Sequence, residues 1–201
     1  MKVCVYVEGG GPNASGHATS ACRQAFRLFL DKVLIDRRKP RIVACGSRDD
    51  AYRDFCRSLK YDTDTFAVLL VDSEDRVASG KTAKEHLHGR EAHWKEMMPD
   101  GQVYLMVQCM ESWFLADKSA LKEYYGEKCN LSALPANPKI EDIPKKDVMR
   151  GLALATKATR KGPYHKTRHG FDLLERVDAA EVAKASPHAG ALVELLLAKL
   201  I

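Results

Sequence analysis

Phe66-Ala67-Val68-Leu69-Leu70-Val71 runs directly into Asp72-Ser73-Glu74. Six consecutive apolar residues without polar alternation suit a strand covered on both faces, and such strands belong to parallel sheets flanked by helices. Outward from this stretch the same texture recurs. Residues 3–7 (VCVYV) end in Glu8 and three glycines, residues 41–45 (RIVAC) end in Gly46-Ser47, and residues 103–107 (VYLMV) lead to Met110-Glu111. Helical spacing fills the gaps: residues 17–36, a segment opened by Gly46-Ser47 and Asp49 and carrying Tyr52, Phe55, Cys56 and Leu59, and residues 81–97, stopped by Pro99-Asp100-Gly101. Residues 110–117 also read as helix. Four β runs alternating with helices predict an α/β fold, a four-stranded parallel sheet with helices on both faces. After Leu131 the prolines at 135, 138 and 144 break the pattern, and helices are expected at 147–158, 171–177 and 189–201. The expected organisation is an α/β domain over residues 1–135 and a helical C-terminal extension, 136–201, packed on it.

The chain has 201 residues, enough for a sizeable core, with 32 Lys and Arg against 27 Asp and Glu, a net charge of +5. Residues 139–176 hold ten of the cations and five of the acids, so that one stretch equals the whole net charge. No uncharged apolar run approaches the roughly 20 residues of a membrane-spanning helix. Residues 1–8 read as a strand rather than a signal peptide. The six cysteines form no C-x-x-C pair, which suggests buried, reduced thiols and a cytoplasmic protein. No internal repeat or low-complexity tract is present.

In an open parallel sheet the chemistry collects beyond the carboxyl ends of the strands. Glu8 follows the first run, Asp72 and Glu74 the third, and Glu111 comes shortly after the fourth. Each alone reads equally well as a helix N-cap or a favourable charge at a helix start. Together they form a cluster that repels and desolvates itself unless a cation compensates. Oxygen-only ligands suit Mg²⁺ or Mn²⁺ better than zinc. Asp75 is expected as a solvent-facing loop acid.

A glutamate after the first strand and an acid-x-acid pair after the third resembles the Toprim signature of topoisomerases, DnaG-type primases and overcoming-lysogenization-defect nucleases. The wider set of motifs is Tyr6-Val7-Glu8-Gly9, Val71-Asp72-Ser73-Glu74, residues 108–117 (QCMESWFLAD), Tyr164-His165-Lys166-Thr167 and the turn Ser186-Pro187. It resembles, over nearly the whole chain, a bacterial Toprim-like family catalogued as domain of unknown function 4276. Glu74 departs from the strict Toprim pattern, being one methylene longer than aspartate. The resemblance implies a Toprim-like fold and a Mg²⁺- or Mn²⁺-dependent nuclease, a phosphodiester hydrolase acting on nucleic acid, DNA rather than RNA, in a bacterial defence setting. In that reading Asp72, Glu74 and Glu111 hold metal, Glu8 is a ligand or the general acid/base, and Lys166 is a catalytic cation near the scissile phosphate. A solvated lysine is the alternative for Lys166.

Residues 157–169 hold five Lys/Arg, two His and one Tyr with no acid. That mixture suits a phosphate backbone, with Arg160, Lys161, His165 and Arg168 as contacts, or else a solvated loop. His165 and His169 are four apart, but zinc needs further ligands. Gly9-Gly10-Gly11-Pro12-Asn13-Ala14 matches a dinucleotide fingerprint in form, yet its partner acid is missing after the second run and Glu8 would face the pyrophosphate. Ser79-Gly80-Lys81-Thr82 resembles the end of a P-loop, but Asp75 stands where the upstream glycine belongs. The rival to an enzyme is a non-catalytic Toprim-fold subunit that binds nucleic acid or an ATPase encoded alongside, as the resemblance suggests. The apolar C-terminal helix, residues 191–201, offers either a homodimer or docking surface or a face packed on the sheet.

Overall fold

The computed structural model describes residues 2–10, 16–94 and 98–201. Four parallel strands, β1 (Lys2–Glu8), β2 (Arg41–Gly46), β3 (Thr65–Asp72) and β4 (Val103–Met106), form one sheet in the order β2-β1-β3-β4. β1 and β3 are central, and β2 and β4 are the edges. All four strands point the same way, so their carboxyl ends share one rim.

The unbroken apolar runs have a direct explanation. Val3, Val5 and Val7 of β1 and Val68 and Leu70 of β3 face one core, while Ala67, Leu69 and Val71 of β3 face the other. With period-2 side chains, a strand buried on both faces has no position left for a polar residue. Helix α1 (Gly16–Asp31) covers the first face with Phe26, Phe29 and Leu30, and Phe29 stacks on Trp113 at 5.0 Å. Helices α2 (Arg48–Tyr61) and α3 (Ala83–Arg90) cover the second, where Tyr52 stacks on Trp94 at 4.0 Å.

Several boundaries differ from the sequence reading. The first helix ends at Asp31, because Val33 and Leu34 turn back to bond Leu30 and Leu34 is buried, with Asp36 in the left-handed region. The helix expected over 81–97 ends at Arg90, with Thr82 as its N-cap and Glu85 closing a capping box. Residues 95–97 lie outside the described residues. The Ser79–Thr82 motif is thus the entry to a helix. Residues 11–14 of the glycine-rich motif also lie outside the description. Met110–Leu115 is a 3₁₀ helix rather than an α-helix. It cannot extend, since Asp117 opens α4 (Lys118–Tyr125) by capping Ala120 N.

Beyond it come α5 (Lys145–Thr156), α6 (Lys166–Leu174), α7 (Ala179–Ala185) and α8 (Pro187–Lys199). The α1-side core continues without a break into these helices through Val148, Leu152, Leu173, Val182, Leu192 and Leu196. α6 packs on α1, and α8 on α7 and β4, so the C-terminal helix lies against the sheet edge. α6 begins five residues before the position expected from apolar spacing, which moves Lys166 and His169 from a loop onto a helix. All six cysteines are free and buried. Among the described residues no helix is long and apolar enough to cross a membrane.

Gly151 of α5 lies so close to the proline-rich segment that an added Cβ would sit 2.6 Å from Pro135 Cδ. Alanine normally gains about 1 kcal/mol over glycine in a helix, but overpacking a rigid contact costs about 1–3 kcal/mol. Gly151→Ala is therefore expected to lower the melting temperature by roughly 2–4 °C for a net loss of about 1 kcal/mol, measured by thermal unfolding.

Candidate metal centre

The carboxyl rim of the sheet places the sequence-derived acids. β1 ends in Glu8, and the β1–β2 register shifts between Val7 and Glu8, with Gly9 N donating to Gly46 O at 2.6 Å. This irregularity re-aims the side chain at the strand end, so that Glu8 Oε2 accepts from Asp72 N at 3.3 Å. Asp72 closes β3. Its Oδ1 accepts from Met110 N at 2.8 Å, while its Oδ2 is buried and has no hydrogen-bond partner. Glu74 sits two residues on at φ 65°, in the left-handed region. A non-glycine residue held there costs on the order of 1–2 kcal/mol. The turn is fixed by Ser73 N to Met106 O and Glu74 N to Gln108 O, at 3.1 and 2.9 Å.

Glu8, Asp72 and Glu74 each offer an oxygen within 4.8 Å of the others. Glu111, expected with them, is not in this trio. It is fully buried on the 3₁₀ helix, where Oε1 accepts from the Tyr164 hydroxyl at 2.9 Å and Oε2 has no hydrogen-bond partner. Lys166, at the first turn of α6, joins the two parts: its Nζ is 3.6 Å from Asp72 Oδ2 and 3.9 Å from Glu111 Oε2.

Two further cations attend the trio. Arg48, just after β2, reaches Glu74 Oε1 at 2.9 Å and Glu8 Oε2 at 3.5 Å. Lys145, the first residue of α5, reaches Glu74 Oε2 at 2.6 Å. Gln108 holds that helix start, accepting from Lys145 N and donating to Glu141 O. Neither Arg48 nor Lys145 is marked by its sequence context. Each belongs to a helix start whose partner acid is far along the chain. Tyr164 stands out in the sequence as an aromatic in a basic stretch and as part of the Tyr164-His165-Lys166-Thr167 motif, neither of which shows its contact with Glu111. Its position comes from Thr156, whose hydroxyl accepts from Tyr164 N at 2.7 Å and donates to Leu152 O.

The electrostatics follow from burial. Desolvation, with Glu8 and Glu111 nearby, pushes the Asp72 carboxyl well above its ordinary range, against the pull of Lys166 and Lys145. Desolvation also raises Glu8, with Arg48 and Lys166 opposing. Burial works against ionised Glu74 as well, but Lys145 and Arg48 outweigh it and hold that carboxyl below the usual range. Burial disfavours the charged Lys166, yet Asp72, Glu111 and Glu8 together raise it.

The basic residues divide. Arg160, His165 and Arg168 are exposed, whereas Lys161 lies over the Tyr124 ring at 4.3 Å. His169 is buried. Its Nδ1 accepts from His165 N at 3.2 Å and from the Tyr125 hydroxyl at 2.9 Å, so the two histidines do not converge on one ligand. Asp75 is exposed and paired with Arg90.

A second group missed by the sequence reading is Asp49, Glu91 and His93, also within 4.8 Å of one another. Asp49 Oδ1 there already accepts from Trp94 Nε1 at 2.7 Å and meets His93 Nε2 at 2.8 Å. Glu91 pairs with Arg48, which links the two groups.

An acid whose pKa is raised by folding holds its proton more tightly folded than unfolded. Its contribution to stability therefore falls as pH climbs from the ordinary aspartate range through the raised folded value. Asp72→Asn removes that penalty. The substitution is expected to raise the melting temperature more at pH 8 than at pH 5, a difference read by scanning calorimetry.

Residues 10–197 match the family described as "Domain of unknown function (DUF4276)", and the chain belongs to that family. No curated protein and no solved structure matches it.

Proposed function

We propose that this DUF4276 chain is a Toprim-type protein that binds Mg²⁺ or Mn²⁺ and hydrolyses phosphodiester bonds in nucleic acid, DNA in preference to RNA. The observation that carries the reading is the meeting of Glu8, Asp72 and Glu74 at the carboxyl rim, together with the buried Asp72 Oδ2, which accepts no hydrogen bond and faces the Lys166 ammonium at 3.6 Å. Hard carboxylate oxygens fit a hard divalent cation. A cation held there would supply Lewis acidity toward a phosphate oxygen and lower the pKa of bound water.

The chain's own residues have distinct parts in this reading. Asp72 and Glu74 hold the metal, and Glu8 is a third ligand or the group that takes a proton from attacking water. Lys166, with its side chain 49 % exposed, neutralises a phosphate oxygen at the mouth of the site. Glu111 and Tyr164 orient Lys166 from the buried side, a positioning part in place of the metal ligation expected for Glu111. Arg160, His165 and Arg168, beside the start of α6, meet the flanking backbone.

One observation favours the second reading, a non-catalytic subunit that binds nucleic acid or a partner ATPase. Arg48, Lys145 and Lys166 already stand against the carboxylates, and a metal must displace some of those ion pairs. Calorimetric titration separates the two. Binding of Mn²⁺ or Mg²⁺ that disappears in Asp72→Ala, with metal-dependent cleavage lost in the same variant, supports the enzyme. No heat at millimolar metal supports the subunit and overturns the enzyme. For the positioning part, Tyr164→Phe is expected to lower kcat about tenfold while leaving metal affinity unchanged, since Tyr164 touches Glu111 but none of the trio.

A further inference from the structure

Residues 16–41 carry seven Lys/Arg against two Asp, a net charge equal to that of residues 139–176. Two of these cations are committed. Lys32 donates to the backbone oxygens of Glu175 and Val177, and Lys39 to Leu34 O while pairing with Asp31 at 3.4 Å. The guanidinium groups of Arg23, Arg27, Arg37, Arg38 and Arg41 form no hydrogen bond or ion pair among the described residues. Of the nine arginines elsewhere, Arg48, Arg53, Arg76, Arg90 and Arg150 are ion-paired and Arg176 lies over the Tyr124 ring, so the unpaired ones fall mainly in residues 16–41.

The free arginines are arranged. Arg23 and Arg27 are one turn apart on the solvent face of α1, beside the edge strand β2. With Arg41 they rim a cleft of about 360 Å³ floored by buried Pro40 and Ile42. Arg41 also lines a second cleft of about 240 Å³ with Lys2 and Arg38, at the strand starts, where Asp62 is the single acid. The track therefore follows α1 and the β2 edge to the end of the sheet opposite the carboxylates.

We infer that this arginine track is a binding surface for the phosphate backbone of nucleic acid, separate from the contacts around Lys166. Like charges gathered with Asp62 as the single acid among them repel one another, and a polyanion reverses the sign of that term. Guanidinium forks match phosphate oxygens bidentately and give up water more readily than ammonium groups do. Two open clefts sharing one arginine suit a polymer lying along the edge, and the apolar floor of Pro40 and Ile42 faces sugar rather than charge. The inference deepens the proposed function by giving the same substrate class a second point of attachment.

The test is binding of a fluorescent DNA duplex by the full chain in EDTA, across a salt series, so that cleavage does not enter. The triple variant Arg23→Gln, Arg27→Gln, Arg41→Gln is expected to bind about tenfold more weakly or worse. The slope of log K against log salt should shrink by about 0.9 for each duplex phosphate contact removed. A control triple, Lys81→Gln, Lys128→Gln and Lys184→Gln, lowers the net charge equally and should leave the slope nearly unchanged. Equal loss in both triples overturns the track, as does an unchanged slope in the arginine variant. Competition by inorganic triphosphate as strong as by the duplex overturns the polymer assignment in favour of a small-anion site. A wild-type chain that binds no duplex overturns this inference together with the nucleic-acid reading. Binding without metal-dependent cleavage overturns the enzyme alone. Because the substituted side chains are exposed, circular dichroism and melting temperature should match wild type, which keeps a binding loss interpretable.

Discussion

Four carboxylates cannot share a partly buried strand rim without cations among them, and the way this chain meets that constraint organises the molecule. Arg48 comes from the start of α2, Lys145 from the start of α5 and Lys166 from the start of α6. A lone buried carboxylate is strongly unfavourable, and a pair is tolerated only with good geometry and further hydrogen bonds. Here the further bonds are Met110 N to Asp72 and the Tyr164 hydroxyl to Glu111. The rim is consequently a joint: without the helices after residue 140 it would hold its negative charges with Arg48 alone. The continuous apolar core beneath serves the same union of sheet and C-terminal helices.

The sheet was legible in the sequence because two-sided burial leaves a plain mark, unbroken runs such as FAVLLV. Glu8, Asp72 and Glu74 were legible for a related reason, since the residue after a parallel strand lands on the functional rim whatever the fold's details. What the sequence did not disclose depends on long-range partners. Arg48 looks like any polar residue after a strand, and its three carboxylate partners are 40, 26 and 43 residues away. Glu111 was expected with the other acids but is not in the trio, and its Oε1 is held by Tyr164, more than 50 residues on. The helices α4 and α7 were missed because each is short, and their apolar contacts are made with neighbours rather than along one long stripe. The basic segment 16–41 escapes a reading by net charge, because acids in the flanking stretches cancel it.

The site combines a strained backbone at Glu74, a raised Asp72 carboxyl and buried oxygens without hydrogen-bond partners on Asp72 and Glu111. None of these helps the fold, and sites of this kind are where local rules give way to function. The contrast within the rim is informative. Glu74 is paired with Arg48 and Lys145, which hold its carboxyl below the usual range, whereas burial pushes the Asp72 carboxyl well above it, so neighbouring acids of one rim hold their protons with very different strength.

The edge position of β2 carries a different consequence. A strand open on one side is a template for adding another chain, and proteins guard such edges with charge. Arg23, Arg27 and Arg41 stand along this one, so two copies approaching edge to edge would bring six guanidinium groups together. The same side chains that would grip an anionic polymer would thus also oppose the pairing of two such edges. Neutralising them puts colloidal behaviour at stake as well as recognition.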